Sequence, residues 1–249
     1  MCGRLVVVVP DLSVFIEPLH VARLGPTLWQ PRFNIAPTQL APVVTNETDR
    51  RLELFHFGLV PGWAKDKKIA SKLINARVEG VATSNAFKRA LAQRRCIVPV
   101  SGYYEWQTLH GQKRALYIHD ARKTFLPLAG IWERWHSQDG EVLESFAVLT
   151  RPATGFLRDV HDRMPLSVPW SAIDLWLDPA PQDAGALASI LQSASAVDHL
   201  TAHAVAPIVN SPSNDSPECI APFVAGAPAP EPQLDLFEAI ARPRTGTQR

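Results

Sequence analysis

The apolar runs of this chain are short, and proline or glycine closes almost every one of them. Runs at 5–9, 52–59, 96–105, 115–119, 126–132, 145–150 and 201–209 are rich in Val, Ile, Leu and aromatic residues. Side chains of that kind fit a pleated, half-buried surface, and proline or glycine then ends the ladder, so each run predicts a strand. The helical period is scarcer. It is clearest at 82–93 and 184–194, with a shorter pattern at 171–177 that Ser171 would open as an N-cap. Strand and helix patterns do not alternate, which argues against βαβ units. The predicted fold is α+β, mainly β, as one domain with helices at its rim. A length of 249 residues is enough to bury its core.

Composition changes from about Ala225. The segment AGAPAPEP is small and proline-rich, and the last residues, RPRTGTQR, are polar and basic. Such a stretch offers too little apolar surface to order itself. The chain is therefore divided into a domain at 1–222 and a flexible tail at 223–249.

Net charge is only +1, which by itself favours neither nucleic acid nor any other partner. The distribution is more telling. Between Lys65 and Arg95 stand nine basic residues (65, 67, 68, 72, 77, 88, 89, 94 and 95) against Asp66 and Glu79. A basic region of this kind suits a phosphate backbone, and a solvated helix face with ordinary lysines is the alternative. Three cysteines, Cys2, Cys96 and Cys219, stand far apart without metal-ligand spacing. That excludes a disulfide framework and a structural zinc, implies no metal or cofactor, and suits a reducing cytoplasm. The run 5–9 is too short for a secretory signal, and no segment is long and apolar enough to span a bilayer.

The first residues carry a distinct chemistry. Met1 is followed by Cys2, Gly3 and Arg4. A small residue at position 2 permits loss of Met1, which places an α-amine and a thiol on the same residue. An α-amine has a pKa of about 7.7–8, against about 10.4 for lysine, so its nucleophilic fraction near neutrality is larger by roughly two orders of magnitude. The amine can attack an aldehyde to give an imine, and the thiol is placed to close a thiazolidine ring on it. Ring closure removes the electron sink that would otherwise promote β-elimination at a deoxyribose. Gly3 lets a bulky ligand approach the backbone, and Arg4 lies within reach of a phosphate. On these residues alone, the better reading of Cys2 is an ordinary residue at the start of a strand.

Seven stretches occur in order along the chain: Met1 to Arg4, RFNIAPTQ at 32–39, FGLVPGWAKD at 57–66, INARVE at 74–79, RCIVPVSGYYEW at 95–106, HDRMPL at 161–166 and VNSPSNDSPECI at 209–220. Together they resemble the SOS-response-associated peptidase family, the abasic-site-processing proteins that protect DNA at replication forks. The resemblance covers roughly residues 1–222. It implies a barrel-like core of mixed and antiparallel strands acting on single-stranded DNA with an abasic site, and a monomer is the default oligomeric state.

It also implies roles for the matching positions. Cys2 would supply amine and thiol, after autocatalytic loss of Met1. Glu105 would transfer protons beside it, Asn75 would hydrogen-bond the sugar or the thiazolidine, and His161 would handle protons as the deoxyribose opens. Arg77 and Arg163, with Arg4, would clamp flanking phosphates, while Pro37 and Trp63 would contact unstacked bases. The chain departs from the family pattern at Phe57, where Trp is frequent, at Gly80, where Thr is common, and at Ala64, where some relatives carry a second aromatic. In the tail, Gln233, Leu234, Asp235, Leu236 and Phe237 resemble the QLSLF or QLDLF peptide by which bacterial repair proteins bind the DNA sliding clamp. A tail segment packing on its own domain is the alternative.

Three other functions compete. A glutamine amidotransferase with an N-terminal nucleophile also starts Met-Cys-Gly, although no synthetase domain follows here. A non-catalytic single-stranded DNA adaptor would not need Cys2. A protease acting on other proteins is suggested by the family's name, which self-cleavage of Met1 also accounts for.

Overall fold

The punctuation of the sequence becomes strands of two to eleven residues. The computed structural model describes residues 2–25, 28–122, 125–180, 182, 187, 190–191 and 199–223. Thirteen strands lie among them. The first six are β1 (Leu5–Val7), β2 (Arg23–Leu24), β3 (Arg32–Ile35), β4 (Leu40–Thr45), β5 (Arg51–Phe57) and β6 (Asn75–Arg77). After helix α1 (Lys88–Gln93) come β7 (Arg95–Val100), β8 (Gly102–Leu109), β9 (Gln112–Asp120), β10 (Leu126–His136), β11 (Val142–Pro152) and β12 (Arg163–Pro165). Helix α2 (Ile173–Trp176) and β13 (Leu200–Ala204) complete the set.

Strands β11, β10, β7, β4 and β5 pair in that order, and β5 returns to β11. The ring is therefore a closed barrel, antiparallel at every pair except the parallel β5–β11 closure. Closure removes the unpaired edges those strands would otherwise expose. Phe57 and Phe146 stack at 5.2 Å between centroids, among Phe55, Ile97, Val98, Ala129 and Ile131 of the same core. Gly130 is required here, because a Cβ on it would lie 2.7 Å from the Cys96 sulfur. Beyond the barrel, β6 continues along β11 in parallel and β12 in antiparallel register. A second, fully antiparallel sheet runs β13–β9–β8–β1–β3. The α+β, mainly β expectation, with a barrel core and few helices, describes what is observed.

The run at 96–105 is two strands in different sheets, β7 in the barrel and β8 in the second sheet. Ser101 makes the corner. Its amide donates to the Val6 carbonyl, its hydroxyl accepts from the Val8 amide at 3.0 Å, and its carbonyl accepts from the Tyr117 hydroxyl. The helix expected at 82–93 shortens to α1, preceded by turns whose amides bond back to Gly80 and Ser84. Ser171 does not cap a helix. A 3-10 turn at Trp170–Ala172 follows Pro169 and runs into α2 with no side-chain cap. Of the expected helix at 184–194, only residues 187, 190 and 191 are described, and these are helical.

Two buried polar residues hold the framework. Asn34 donates to the carbonyls of Val209, Ser211 and Asn214, and Asp215 accepts from the Asn34 amide. The motif at 209–220 is thus a latch over β3. Arg95, fully buried, donates to the carbonyls of Leu91, Ala92, Trp176, Asp178 and Ala180, satisfying the end of α1 and the turn after α2. This corrects the basic stretch read from the sequence. Arg95 belongs to the core and Arg94 pairs with Glu133, so the exposed basic surface is carried by Lys65, Lys67, Lys68, Lys72, Arg77, Lys88 and Arg89.

Candidate active site at Cys2

Residues 2–4 lead into β1, which pairs with β8 at Leu5↔Tyr103 and Val6↔Gly102. The Arg4 carbonyl accepts from the Tyr104 amide at 3.0 Å, carrying the segment alongside the Tyr-Tyr-Glu-Trp stretch. Strand alternation splits that stretch. Tyr104 packs with Val6 in a satellite cluster under the 209–220 latch, and Trp106 packs against that cluster from its edge. Tyr103 and Glu105 point to the other side, where Tyr103 joins Leu5, Val7 and Cys2 in the main core. Cys2 has 0% exposure. From the barrel side, Asn75 at the start of β6 donates its Nδ2 to the Cys2 carbonyl at 2.8 Å. The cysteine is therefore held where the two sheets meet.

The registers of β6, β11 and β12 arrange a second set of groups. Asn75 pairs with Val148, Arg77 with Thr150, Thr150 also with Pro165, and Pro152 with Arg163. Paired residues share a face, so Asn75, Arg77, Thr150 and Arg163 lie on one face, with Ala76, Leu149 and Met164 turned to the core. Arg77 is exposed. The Arg163 guanidinium forks onto Glu79 at 2.7 and 2.9 Å and donates to the Thr150 carbonyl. A phosphate at Arg163 must compete with Glu79. Buried Asn75 Oδ1, Tyr103 Oη, Thr150 Oγ1 and Arg163 Nε have no hydrogen-bond partner among the described residues. Burying such groups costs about 1–3 kcal/mol each, so their concentration around Cys2 suits a site built for a polar ligand.

Electrostatics link the remaining residues. Burial, and then the charge of Glu105, push the Cys2 thiol far above its ordinary value. Burial likewise raises the Glu105 carboxyl, with the positive charge of His161 among the opposing influences. Two groups in this relation cannot both ionise cheaply, so the Cys2 thiol keeps its proton beside a charged Glu105. His161 follows a 3-10 turn at Gly155–Asp159, and its Nδ1 accepts from the Arg163 amide at 3.0 Å. The Asp162 carboxylate lies 2.5 Å from the same nitrogen.

The sequence-predicted residues thus divide. Cys2, Asn75, Glu105 and His161 come together, and Arg77 and Arg163 lie on the face beside them. Arg4 is directed elsewhere: its guanidinium donates to Asn34 and the Val209 carbonyl and sits 5.5 Å over the Trp106 ring. Pro37 is half-buried in the turn between β3 and β4. Trp63 is 62% exposed on an open cleft of about 760 Å³ shared with Asn85, Lys88 and Arg89. The segment Gln233, Leu234, Asp235, Leu236 and Phe237 lies outside the described residues. Sequence reasoning passed over Tyr103 and Thr150. Strand alternation alone places Tyr103 on the face of Glu105, whereas Thr150 carries no local signal. All three cysteines are free and buried. No helix among the described residues is long and apolar enough to cross a membrane.

Fold and site together define a mainly β protein organised around a buried cysteine at its second position. The family described as SOS response associated peptidase (SRAP) matches residues 1–212, and the chain belongs to it. The chain is 34% identical to the abasic site processing protein YoqW of Bacillus subtilis, over 88% of this chain and 99% of that protein. It is 30% identical to the mouse abasic site processing protein HMCES, over 79% of this chain and 66% of that one. A crystal structure of a Bacteroides thetaiotaomicron protein shares the fold with a TM-score of 0.77 at 21% identity, covering 90% of this chain and 100% of that chain.

Proposed function

We propose that this protein processes abasic sites in single-stranded DNA by forming a covalent thiazolidine through Cys2 once Met1 has been removed. The observation that carries this reading is the burial of Cys2 against Asn75 and within the field of Glu105. Loss of Met1 turns the nitrogen of Cys2 into an amine beside its own thiol. The amine adds to the C1′ aldehyde of the ring-opened sugar, forming a C–N bond, while the carbonyl oxygen takes up a proton. Protonated by Glu105, that oxygen leaves as water and the imine forms. The thiol then adds to the same carbon, and its proton passes by way of Glu105 to the ring nitrogen. Overall one aldehyde and one aminothiol give one thiazolidine and one water. Asn75 fixes the Cys2 backbone, His161 serves the ring opening of the deoxyribose, and Arg77 with Arg163 meets the flanking phosphates. Trp63, with Lys88 and Arg89, offers a stacking surface for a neighbouring base.

Incubation with single-stranded DNA holding one abasic site should give a heat-stable shifted band on a denaturing gel, absent with undamaged DNA. No shift rejects the reading. Hydrolysis of free glutamine by the purified protein would support the amidotransferase reading in its place.

The tail is assigned to the sliding clamp, with Leu234, Leu236 and Phe237 as anchors for an apolar groove and Gln233 for polar contact. Clamp should be retained by the immobilised protein and lost with Leu236→Ala and Phe237→Ala combined. Equal recovery from the two would dismiss the assignment.

A further inference from the structure

The three tyrosines of this chain differ in one respect. Tyr104 donates its hydroxyl to the carbonyls of Phe33 and Cys219, at 2.8 and 3.1 Å. Tyr117 donates to the Ser101 carbonyl at 3.2 Å. The Tyr103 hydroxyl is buried and has no partner among the described residues, in a residue only 1% exposed. Chance burial of a phenol would be expected to find a carbonyl, as the other two do, because leaving it unsatisfied costs about 1–3 kcal/mol. Tyr103 is also the tyrosine on the reacting side. It is paired with Leu5, two residues from Glu105 on the same face of β8, and packed in one cluster with Cys2. Tyr103 also lines a cleft of about 400 Å³ whose wall includes Met164 and Pro165.

We infer that Tyr103 is a further catalytic residue, whose hydroxyl donates a hydrogen bond to the oxygen on C1′ as the Cys2 amine adds to the aldehyde. The inference rests on the crosslinking reading above and names a group within it. In the carbonyl addition, the electrons of the C=O bond move to that oxygen, which then carries the developing negative charge. A fixed donor in a water-poor site stabilises such a charge without having to reorganise. The same hydroxyl holds the oxygen of the carbinolamine until it departs as water with a proton from Glu105. Tyr103 keeps its own proton throughout, and burial, together with the nearby Cys2 and Glu105, keeps the phenol neutral. The empty hydrogen-bonding capacity of the protein by itself is thus filled by the reaction intermediate.

The test is Tyr103→Phe, which removes one oxygen and leaves the ring to fill its place. Single-turnover crosslinking to abasic single-stranded DNA should slow by about tenfold to a hundredfold, the range set by loss of one donor to an oxyanion. The ratio of the two rates should stay constant with pH across the neutral range, because the phenol does not titrate there. The melting temperature should be equal or higher, since an unsatisfied buried hydroxyl has been deleted. Equal crosslinking rates overturn the inference. So does a slower variant that melts lower, because the hydroxyl then served the fold, and so does a rate ratio that varies with pH, because Tyr103 then acts by tuning Glu105. If the unaltered protein forms no adduct, the crosslinking reading itself fails, which this comparison separates from a failure of Tyr103 alone.

Discussion

Cys2→Ala is expected to abolish the heat-stable adduct on abasic DNA while leaving an imine that borohydride can trap. Alanine at position 2 is small enough for the host's methionine aminopeptidase to remove Met1 without self-cleavage, and mass spectrometry of the purified variant establishes that the residue is gone. The α-amine is then present and adds to the aldehyde as before. Only the sulfur is missing, and with it the closure of the ring. Intramolecular attack of this kind has an effective molarity on the order of 10⁵ M or more, so added thiol at laboratory concentrations cannot replace it. The protonated imine persists as an electron sink, acidifies the C2′ proton and promotes cleavage of the strand. The expected gel therefore shows no stable shifted band and an increase in cleaved DNA over time. A stable band of undiminished intensity would show that the bond to DNA runs through another residue.

Glu105→Gln should slow adduct formation by about 10²- to 10⁴-fold, the usual contribution of a positioned acid–base group. The amide fills the same space and cannot exchange a proton with the carbinolamine or the thiol. Burial raises the Glu105 carboxyl, so the titration of this group in the wild-type rate profile should lie above the ordinary carboxylate range and vanish in the variant. Stability should move the other way. A carboxyl whose pKa is higher in the folded than in the unfolded protein binds more protons when folded. Its favourable state is complete below the unfolded value, near 4.3, and is lost as pH rises through the folded one. At neutral pH Glu105 therefore weakens the fold, and Glu105→Gln should raise the melting temperature there, with the gain shrinking as the pH falls. A variant that crosslinks at the wild-type rate would remove Glu105 from the chemistry.

The opposed signs for rate and stability mark a site whose polar groups are arranged for a ligand. Arg95 makes the contrast. It is as buried as Cys2, yet its donors are spent on main-chain carbonyls. Asn75 and Tyr103 retain unspent capacity beside Cys2, and Thr150 does so on the face of Asn75.

Local pattern was enough to read the mainly β class and most of the longer strands, because side-chain alternation and proline or glycine punctuation act over a few residues. It also showed that loss of Met1 would put an amine and a thiol on Cys2, since that chemistry resides on one residue, but only the ordered motifs of the whole chain favoured that reading. Strands β6 and β12 escaped it. Asn-Ala-Arg and Arg-Met-Pro are too short and too polar to announce strands, and they are strands because β11 pairs with them. The split at Ser101 escaped for the same reason, as its bonds reach Val6, Val8 and Tyr117. Motif order named Asn75, Glu105 and His161 through family resemblance, but no local property of the chain says that they meet Cys2. That meeting depends on register between strands distant in sequence, a quantity set by the closing of the barrel and the packing of the second sheet on it. Sequence by itself determined the strand-rich class and offered Cys2 as a candidate nucleophile. Only the tertiary structure decided which basic residues face solvent, which are caps in the core, and which polar groups surround Cys2, because burial and hydrogen-bond partners are properties of the assembled fold.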